Sequence, residues 1–541
     1  MGIGIVTTRQ GRVEGVEFGG DYAGITTFRG IPYAAPPVGE RRWRPPEEPQ
    51  AWDGVRRCDS YGPAAVQTFL HDRHAKEYYY TGTPVCSEDC LYLNVTSGAV
   101  TAGEKRPVYI WFHGGGLTNC YSYEPQFNPQ EMARKGVVVV TVGHRLSLFG
   151  YLTLPQLTRE QGGRSGNYGF MDELKALDWV TENIAAFGGD PNRITVGGQS
   201  GGSLKAAALA ATPASSGRVK GVISQSGLKM KCQFRTLESA EQQGRNYLRY
   251  IGLDPDTPLE VLRKMSTEEI FCDAPRAVMP GDMIYDAELV PFPELQQAID
   301  RYAAQVDFLS GSNLGEADVF AASRAALGTD PVQEYVRGIR NERDFRAHFR
   351  NLLGTLYDEY DGDRTLTVEN GNPWRTARHL AGLGLAGWEG MNFSRNVMLN
   401  RLFGAHRKTI GHTGRTFTYY WTHLEPCRPE DYGTERDPEK LLAWHSSELW
   451  YAFDSLRPGV PPLRPWQPQD YAVACWMNDY WVNFIKSGDP NGGALPAWPA
   501  SDEHLGWMEL GNEPIPHVWE NTSMEKLIRA FVEKEYNFHV R

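Results

Sequence analysis

A glycine-rich turn between a strand-like and a helix-like segment constrains this chain more than any other feature. Residues 193–211 read RITVGGQSGGSLKAAALAA, so a short apolar strand enters a Gly-x-Ser-x-Gly pattern and a strong helix former follows. A serine on a sharp strand-to-helix turn exposes its hydroxyl and lies at the positive end of the helix dipole. The pattern predicts that Ser200 is a nucleophile; the alternative is a serine in a flexible glycine-rich loop.

The surrounding sequence alternates between strands and helices. Apolar runs predict strands, and an amphipathic helix after Asn167 places Phe170, Leu174, Leu177, Val180 and Ile184 on one face. This alternation predicts an α/β fold with a large, mostly parallel central sheet covered by helices on both faces. The predicted strands are VYIWF (Val108–Phe112), GVVVVTV (Gly136–Val142), RITV (Arg193–Val196) and GVISQSG (Gly221–Gly227).

Two further regions complete the predicted organisation. Residues 4–33 alternate short apolar segments with glycines, which predicts N-terminal antiparallel hairpins. Residues 238–299 are mainly helical and polar in pattern, which predicts a helical insertion that caps the sheet. We find no repeat and no linker, so residues 1–541 are predicted to form a single catalytic domain.

Charge and cysteine content exclude several classes of protein. The chain of 541 residues has a formal net charge of −11, which argues against a nucleic-acid-binding protein. Its eight cysteines show no paired spacing of zinc ligands, so no metal is predicted. No apolar run is long enough to span a bilayer, and the first residues lack the apolar core of a secretory signal. These features predict a cytoplasmic protein without a membrane partner.

A second glycine cluster lies upstream of Ser200. The segment WFHGGGL (Trp111–Leu117) ends a predicted strand with a histidine and three glycines. Backbone N–H groups in such a loop can converge on the negative charge of a tetrahedral intermediate. A flexible turn is the alternative, but its position upstream of a serine turn favours an oxyanion-binding loop.

These motifs belong to a longer pattern. The chain resembles the type-B carboxylesterase and cholinesterase family of α/β-hydrolases over nearly its whole length. The resemblance implies the α/β-hydrolase fold and an esterase that needs no cofactor. The segments that carry it are FRGIPYAAPPVGERRWRPP (Phe28–Pro46), SEDCLYLNV (Ser87–Val95), WFHGGGL, HRLSLFGYL (His144–Leu152), residues 167–202, SGSNLGEADVF (Ser310–Phe320), AWHSSELWYAF (Ala443–Phe453) and residues 480–492.

The resemblance also implies a catalytic triad. Its acid lies in a segment like GSNLGEA, which places it at Glu316, with Asp318 as the nearby alternative. Its base lies in a segment like AWHSSEL, which places it at His445. The resulting order of Ser200, Glu316 and His445 is the one this fold uses. His113 is a rival base, but it belongs to the oxyanion loop.

Further roles follow from the same resemblance. The backbone N–H groups of Gly115, Gly116 and Gly201 are expected to bind the oxyanion. Arg42 and Glu88 match a structural ion pair of the family. Ser226 matches a serine of the family that lies near the triad, so we expect it to lie near Ser200, Glu316 and His445.

The chain departs from the family at several positions. Many relatives carry glutamate before the nucleophile and alanine after it, where this chain has Gln199 and Gly201. The neutral Gln199 argues against a choline-ester hydrolase, which must hold a cation. Ala65 stands where the partner of a family disulfide is expected. We therefore prefer reduced thiols at Cys58, Cys86 and Cys90; a disulfide between Cys58 and Cys90, which needs a permissive loop, is the alternative.

Residues near the two glycine motifs are candidates for the substrate pocket. Leu117 replaces the phenylalanine common after HGGG, and Tyr121, Tyr123 and Phe127 follow it. Gln199 is a further candidate. In relatives the region of Tyr78–Tyr80 walls a gorge, so the resemblance implies an aromatic wall here that suits apolar or aryl acyl groups. An exposed loop with three tyrosines is an equal alternative.

The sequence predicts a carboxylesterase that acts on small to medium esters. An amidase, carbamate hydrolase or lactonase with the same triad stays open, because the acyl-enzyme chemistry is shared. A non-catalytic cholinesterase-like binding protein is disfavoured by the intact Ser200, Glu316 and His445. We expect a small-molecule ester as partner and a monomer or homodimer.

Overall fold

The computed structural model describes residues 2–68, 83–228, 230, 233–316, 338–386, 395–434, 436–461, 464–538 and 540. Tyr78–Tyr80 and Asp318 lie outside these residues. The chain divides into two compact units. The first comprises residues 1–71, 79–223 and 232–303, and the second comprises residues 72–78, 224–231 and 304–541.

Fourteen strands are described, and most of them belong to a large mixed sheet in the first unit or to a mixed sheet in the second. The fold is therefore of the α/β class that the sequence predicts. The strands are β1 (Ile5–Thr7), β2 (Arg12–Glu14), β3 (Val16–Glu17), β4 (Thr26–Pro32), β5 (Val55–Arg57), β6 (Tyr92–Ser97), β7 (Arg106–Phe112), β8 (Val138–Val142), β9 (Gly189–Gln199), β10 (Val219–Gln225), β11 (Asp307–Asn313), β12 (Thr416–Trp421), β13 (Trp507–Leu510) and β14 (Pro514–His517).

In the first unit the order of the large sheet is β9-β7-β8-β6-β4-β3. Strand β7 is parallel to β8 and β9, and Ile110 of β7 pairs with Val140 and Val196. Strands β6, β4 and β3 continue the sheet antiparallel. The strands β7 and β8 are almost completely buried, which explains their continuous apolar sequence.

The N-terminal hairpins are confirmed. Strand β1 pairs antiparallel with β2, and β3 pairs antiparallel with β4. The sequence did not predict β5, which adds to β2 in parallel and completes a separate three-stranded sheet. Pairing between β2 and β5 joins segments about forty residues apart, so local pattern carries no signal for it.

Helices of the first unit pack on this sheet. The predicted amphipathic helix is α4, and the helix after Ser200 is α5. The helices are α1 (Gln130–Arg134), α2 (Ser147–Tyr151), α3 (Pro155–Glu160), α4 (Tyr168–Asn183), α5 (Gly201–Ala210), α6 (Leu237–Tyr250), α7 (Leu259–Lys264), α8 (Thr267–Ile270) and α9 (Leu295–Tyr302).

The segment 238–299 contains α6, α7, α8 and the start of α9, but non-helical stretches make up more than half of it, and its role as a cap stays a prediction. Its helices share a buried apolar cluster with the preceding part of the unit, in which Tyr247 and Leu262 pack with Trp43 and Leu148. The indole N–H of Trp43 donates to the carbonyl of Leu148 at 3.0 Å, which satisfies the polar atom of this large buried ring.

The second unit contains a parallel set of strands. Strand β11 pairs with β12 and β12 with β13, all parallel, and β14 is antiparallel to β13. The helices of this unit are α10 (Glu342–Leu353), α11 (Thr355–Glu359), α12 (Gly362–Thr365), α13 (Pro373–Leu383), α14 (Val397–Thr409), α15 (Pro438–Leu441), α16 (Leu449–Ala452), α17 (Pro468–Ser487) and α18 (Ser523–Tyr536).

Candidate active site

Ser200 occupies the turn between β9 and α5 in the first unit. Its backbone has φ 56° and ψ −117°, a conformation that side chains other than glycine rarely adopt. The carbonyl of Ser200 accepts hydrogen bonds from the N–H groups of Ser203 and Leu204, at 3.1 and 3.3 Å. The residue is partly exposed, while most of the strand and helix on either side is buried. Such local strain is typical of a nucleophile turn.

The glycines around Ser200 are required by close backbone contacts. A Cβ atom at Gly198 would run into the backbone of Gly202. A Cβ atom at Gly202 would run into the carbonyl oxygen of Phe112, the last residue of β7. The strand end and the helix start are therefore in backbone contact, which only glycine permits at both positions.

The HGGG loop packs directly on this turn. Gly115 and Gly116 adopt positive φ angles of 76° and 63°. A Cβ atom at Gly114 would lie 3.6 Å from that of Ser200, and a Cβ atom at Gly201 would run into the carbonyl oxygen of Gly116. The structure thus brings together the nucleophile candidate and the three glycines predicted to form the oxyanion hole.

Two pocket candidates flank this loop. Gln199 is buried, and its Oε1 would lie 2.9 Å from a Cβ atom at Gly114. Leu117 is also buried, and its carbonyl accepts a hydrogen bond from the N–H of Ser147 at 2.7 Å. Both residues therefore help to hold the loop, and their contact with substrate stays a prediction.

The aromatic candidates pack against other aromatic rings. Tyr121 and Tyr123 have ring centroids 4.7 Å apart, and Tyr123 stacks on Tyr61 at 4.3 Å. Phe127 is buried with its ring 5.5 Å from that of Trp111 on β7. This position makes Phe127 part of the core, and a role for these three residues in the pocket also stays a prediction.

The acid and base candidates lie in the second unit. The Oε2 atom of Glu316 lies 2.6 Å from Nδ1 of His445, and both side chains are buried. The other carboxylate oxygen of Glu316 accepts a hydrogen bond from the N–H of Asn313 at 2.9 Å. With Nδ1 as the donor to the carboxylate, Nε2 is the atom that can accept a proton.

Three groups keep the carboxyl of Glu316 ionised. Burial alone would raise the pKa of this carboxyl. The nearby His445 and Arg395, together with a hydrogen bond from Ser226, outweigh burial and lower the pKa below its ordinary value. Ser226 thus contacts the acid candidate, and the role that the resemblance implies for it stays a prediction. Arg395, whose Nη1 lies 3.6 Å from Oε2, was not predicted.

Backbone contacts bring the two loops together. Gly315 precedes Glu316 on the acid loop, and Ala443 lies two residues before His445 on the base loop. The N–H of Gly315 donates to the carbonyl of Ala443 at 2.8 Å. A Cβ atom at Gly315 would lie 3.0 Å from that carbonyl oxygen. A residue larger than glycine would therefore push the acid loop away from the base loop.

A second buried carboxyl supports the site and was missed in the sequence. Glu448 accepts a hydrogen bond from the Nδ2 of Asn313 at 2.6 Å and one from the Nε2 of Gln225 at 3.2 Å. Burial and the charge of Glu316 raise the pKa of Glu448 to about 7. The available signal was a lone acid inside the apolar segment that follows His445.

The expected ion pair between Arg42 and Glu88 is present and buried. Nη2 of Arg42 lies 2.6 Å from Oε1 of Glu88. Nη1 of Arg42 also donates to the carbonyls of Leu262 and Met265, at 2.8 and 3.0 Å. The pair therefore connects the N-terminal region to segment 238–299.

Cys58, Cys86 and Cys90 are free thiols in the structure. Burial raises the pKa of Cys58 and Cys86 to about 11. Within the described ranges, no three histidine, cysteine, aspartate or glutamate side chains form a group that could hold a metal ion. A membrane-crossing helix is also absent from that part of the chain.

Comparison with known proteins places the chain in a family. The sequence profile of the carboxylesterase family matches residues 3–529. This chain belongs to the carboxylesterase family. The carboxylesterase is 37% identical over 504 residues to the para-nitrobenzyl esterase of Bacillus subtilis (strain 168), covering 92% of this chain and 93% of that protein. It is 29% identical to the fumonisin B1 esterase of Sphingopyxis macrogoltabida, covering 94% of this chain and 86% of that protein.

Solved structures agree with this placement. A structure of the Geobacillus stearothermophilus carboxylesterase superposes with a TM-score of 0.74 at 28% identity, covering 97% of this chain and 99% of that chain. A structure of a PNB esterase gives a TM-score of 0.72 at 26% identity with the same coverage. The carboxylesterase therefore has the α/β-hydrolase fold and hydrolyses carboxylic esters of small molecules.

Proposed function

We propose that the carboxylesterase is a serine hydrolase that cleaves small to medium esters, including esters of apolar or aryl acids, through an acyl-enzyme on Ser200. The observation that carries this proposal is the 2.6 Å hydrogen bond between His445 and Glu316. A buried histidine held by a buried carboxylate is the base that such chemistry needs. The strained turn at Ser200 supports the nucleophile.

In the proposed mechanism His445 acts as general base and then as general acid. Its Nε2 takes the proton of the Ser200 hydroxyl as the oxygen attacks the ester carbonyl. The ionised Glu316 stabilises the imidazolium that forms. The same Nε2 then gives the proton to the leaving alcohol, and water repeats the cycle on the acyl-enzyme.

The oxyanion of each tetrahedral intermediate is proposed to bind the backbone N–H groups of Gly115, Gly116 and Gly201. The contact between Gly116 and Gly201 and the positive φ angles of Gly115 and Gly116 support this role. Preorganised donors of this kind stabilise charge that develops only in the transition state.

We also propose that residues 1–541 act as one catalytic domain, with residues 238–299 as its helical cap. The match of the family over residues 3–529 supports one functional domain. The free buried thiols of Cys58 and Cys90 fit a reducing compartment. We therefore place the protein in the cytoplasm. A monomer or homodimer is the oligomeric state that we propose.

The proposal is tested with wild-type protein and Ser200→Ala on p-nitrophenyl esters of increasing acyl length and on p-nitrophenyl benzoate. We expect turnover by the wild type and a fall in kcat on the order of 10⁵–10⁶ in the variant. The matched control is Ser216→Ala, at an exposed serine after α5, and it should keep full activity. Equal activity of Ser200→Ala and wild type would remove Ser200 from the mechanism.

The acyl-length series and two further substrates decide the substrate class. A p-nitroanilide and an aryl carbamate are assayed beside the esters, since all three can pass through the same acyl-enzyme. Faster turnover of either of these than of every ester would replace the ester proposal with an amidase or carbamate hydrolase. No reaction with any substrate or with a covalent serine probe would leave the binding-protein alternative.

A further inference from the structure

The helix that follows Ser200 carries a lysine that is completely buried. Lys205 lies on α5, five residues after Ser200, in an otherwise small and apolar segment. Its Nζ donates to the carbonyl oxygen of His113 at 3.1 Å and lies 3.0 Å from Nε2 of His144. His113 is the first residue of the HGGG loop. One side chain therefore joins the nucleophile helix to the start of the oxyanion loop.

Lys205 has two acceptors in this arrangement, the backbone carbonyl of His113 and the neutral imidazole ring of His144. The Nδ1 of His144 lies 3.1 Å from the carbonyl oxygen of Arg145, so Nδ1 is the donor and Nε2 accepts from Lys205. The rings of His113 and His144 stack with centroids 4.7 Å apart. Burial, assisted by the positive charge of Lys205, lowers the pKa of both rings well below the ordinary value.

A buried carboxyl faces the lysine from a neighbouring helix. Glu173 on α4 is completely buried, and its Oε1 lies 4.0 Å from Nε2 of His144. Burial lowers the pKa of Lys205 to about 8, and the nearby Glu173 only partly opposes this shift. Burial also raises the pKa of Glu173 to about 8, and the nearby Lys205 only partly opposes that shift. Cys120 also faces Lys205.

Stability alone does not account for a lysine at this position. Taking an ammonium group out of water is unfavourable, and an apolar side chain of similar length would avoid that cost. What the lysine adds is a directed hydrogen bond to one backbone carbonyl. The residue after this carbonyl, Gly114, packs on Gln199 and Ser200. A shift of the His113 peptide would therefore move the loop relative to the nucleophile turn.

We propose that Lys205 is a positioning residue for the oxyanion-binding loop. Its hydrogen bond to the His113 carbonyl holds Gly115 and Gly116 against the Ser200 turn, while His144 is its second acceptor and the buried carboxyl of Glu173 lies nearby. The inference rests on the proposed function, because it assigns Lys205 a part in stabilising the transition state at that site.

This role predicts a specific kinetic effect. The backbone donors of the loop contact charge that exists only in the tetrahedral state, so their displacement raises the barrier without weakening substrate binding. Loss of the Lys205 hydrogen bond should lower kcat by roughly 10²-fold, comparable with the loss of one oxyanion donor. KM should stay within about threefold of the wild-type value.

The variant that tests this is Lys205→Met, which keeps the length of the side chain and removes its donors. Active sites are first counted by complete reaction with a fluorophosphonate, so that misfolded protein does not enter the result. We then measure kcat and KM on p-nitrophenyl butyrate, and the Ki of an alkyl trifluoromethyl ketone whose hemiketal oxyanion needs the same donors. The expected result is a rise in Ki by the same factor as the fall in kcat.

Lys220→Met is the matched control. Lys220 also donates to a backbone carbonyl, that of Gly217 at 2.8 Å, but it is exposed on β10. Its kcat and Ki should equal those of the wild type. If Lys205→Met does not fold, Lys205→Gln replaces it, because the amide keeps N–H donors on a shorter stem and is expected to lose about tenfold in kcat.

The outcomes separate the two proposals. A wild-type protein that fails to react with the fluorophosphonate would overturn the proposed serine hydrolase itself. A reactive wild type together with a Lys205 variant whose kcat and Ki per active site lie within twofold of the wild type would overturn only the positioning role. In that case Lys205 would serve folding alone.

Discussion

Oε2 of Glu316 and Nδ1 of His445 are 2.6 Å apart, and the two residues are separated by 129 positions in the chain. The carboxylate is held by the N–H of Asn313 and by Ser226, so it does not depend on the histidine for its position. A histidine that meets such a preformed carboxylate is restricted to one tautomer, with Nδ1 protonated and Nε2 available to accept a proton.

Replacing Glu316 by glutamine should test this relationship directly. The amide keeps the shape of the side chain but offers a donor, so His445 is driven toward the tautomer that cannot act as base. We expect kcat to fall by about 10³–10⁴-fold with little change in KM. Steady-state kinetics on p-nitrophenyl butyrate give both values. Glu359→Gln, an exposed change in the same unit, is the control. A Glu316→Gln variant with more than a tenth of wild-type kcat would contradict the assignment.

Gly201→Ala should impair the oxyanion loop while leaving the nucleophile in place. The added Cβ would run into the carbonyl oxygen of Gly116, so the loop must shift to admit it. We expect kcat to fall by roughly ten- to a hundredfold, with a smaller change in KM. Gly4→Ala, where a Cβ meets no atom within 4 Å, is the control. Wild-type kcat in Gly201→Ala would show that the loop adapts at no cost.

Arg42→Ala should destabilise the fold strongly. The change leaves the buried Glu88 carboxylate without its charge partner and frees two backbone carbonyls of segment 238–299. We expect a loss of about 3–5 kcal/mol in the free energy of unfolding, measured by urea denaturation.

Its neighbour supplies the control for that measurement. Arg41 forms an ion pair with Glu47 at 2.7 Å, but their side chains are 47% and 52% exposed. Arg41→Ala should therefore cost no more than about 1 kcal/mol. Equal losses in Arg41→Ala and Arg42→Ala would mean that burial of the pair is unimportant.

Glu173→Gln should change how stability depends on pH. Burial raises the pKa of Glu173 to about 8 in the folded protein, well above the value of an unfolded glutamate near 4.5. At a pH between these two pKa values, Glu173 takes up a proton on folding, so its contribution to stability is lost as pH rises from about 5 toward 8. The glutamine of the variant does not titrate, so its stability does not fall for this reason.

The measurement is the free energy of unfolding in urea at pH 5.5, 6.5 and 7.5, below the pKa of Lys205 near 8. As pH rises, the free energy of unfolding of Glu173→Gln should increase relative to that of the wild type, by at most about 1.4 kcal/mol per pH unit. Glu182→Gln, on the exposed end of the same helix, reports the effect of the substitution without burial. A constant difference across the three pH values would refute the interpretation.

Helix α4 shows where pattern analysis succeeds and where it stops. The spacing of Phe170, Leu174 and Leu177 predicts its apolar face, because a side chain returns to the same face every 3.6 residues. The same helix also buries Asp172 and Glu173 completely. No local pattern predicts this, because their partners lie on other segments.

Phe127 illustrates a question that the sequence leaves open. Its place after the HGGG loop predicts a wall of the substrate pocket, its ring packs on Trp111 within the core, and its contact with substrate stays a prediction. The sequence position of an aromatic residue near a functional motif does not show whether its ring lies in the core or lines the pocket, because both environments are apolar.

Local sequence was sufficient for the strand-turn-helix at Ser200, the HGGG loop and the α/β class, because glycine positions and hydrophobic periods act over a few residues. The family resemblance added Glu316 and His445 as candidates. Tertiary structure alone determined the contact of Lys205 with His113, 92 residues away, and the burial of Glu173 beside it. Both features depend on which charged groups the packed elements bury side by side. A buried charge has little contact with water, so its neighbours determine its pKa and the free-energy cost of burying it.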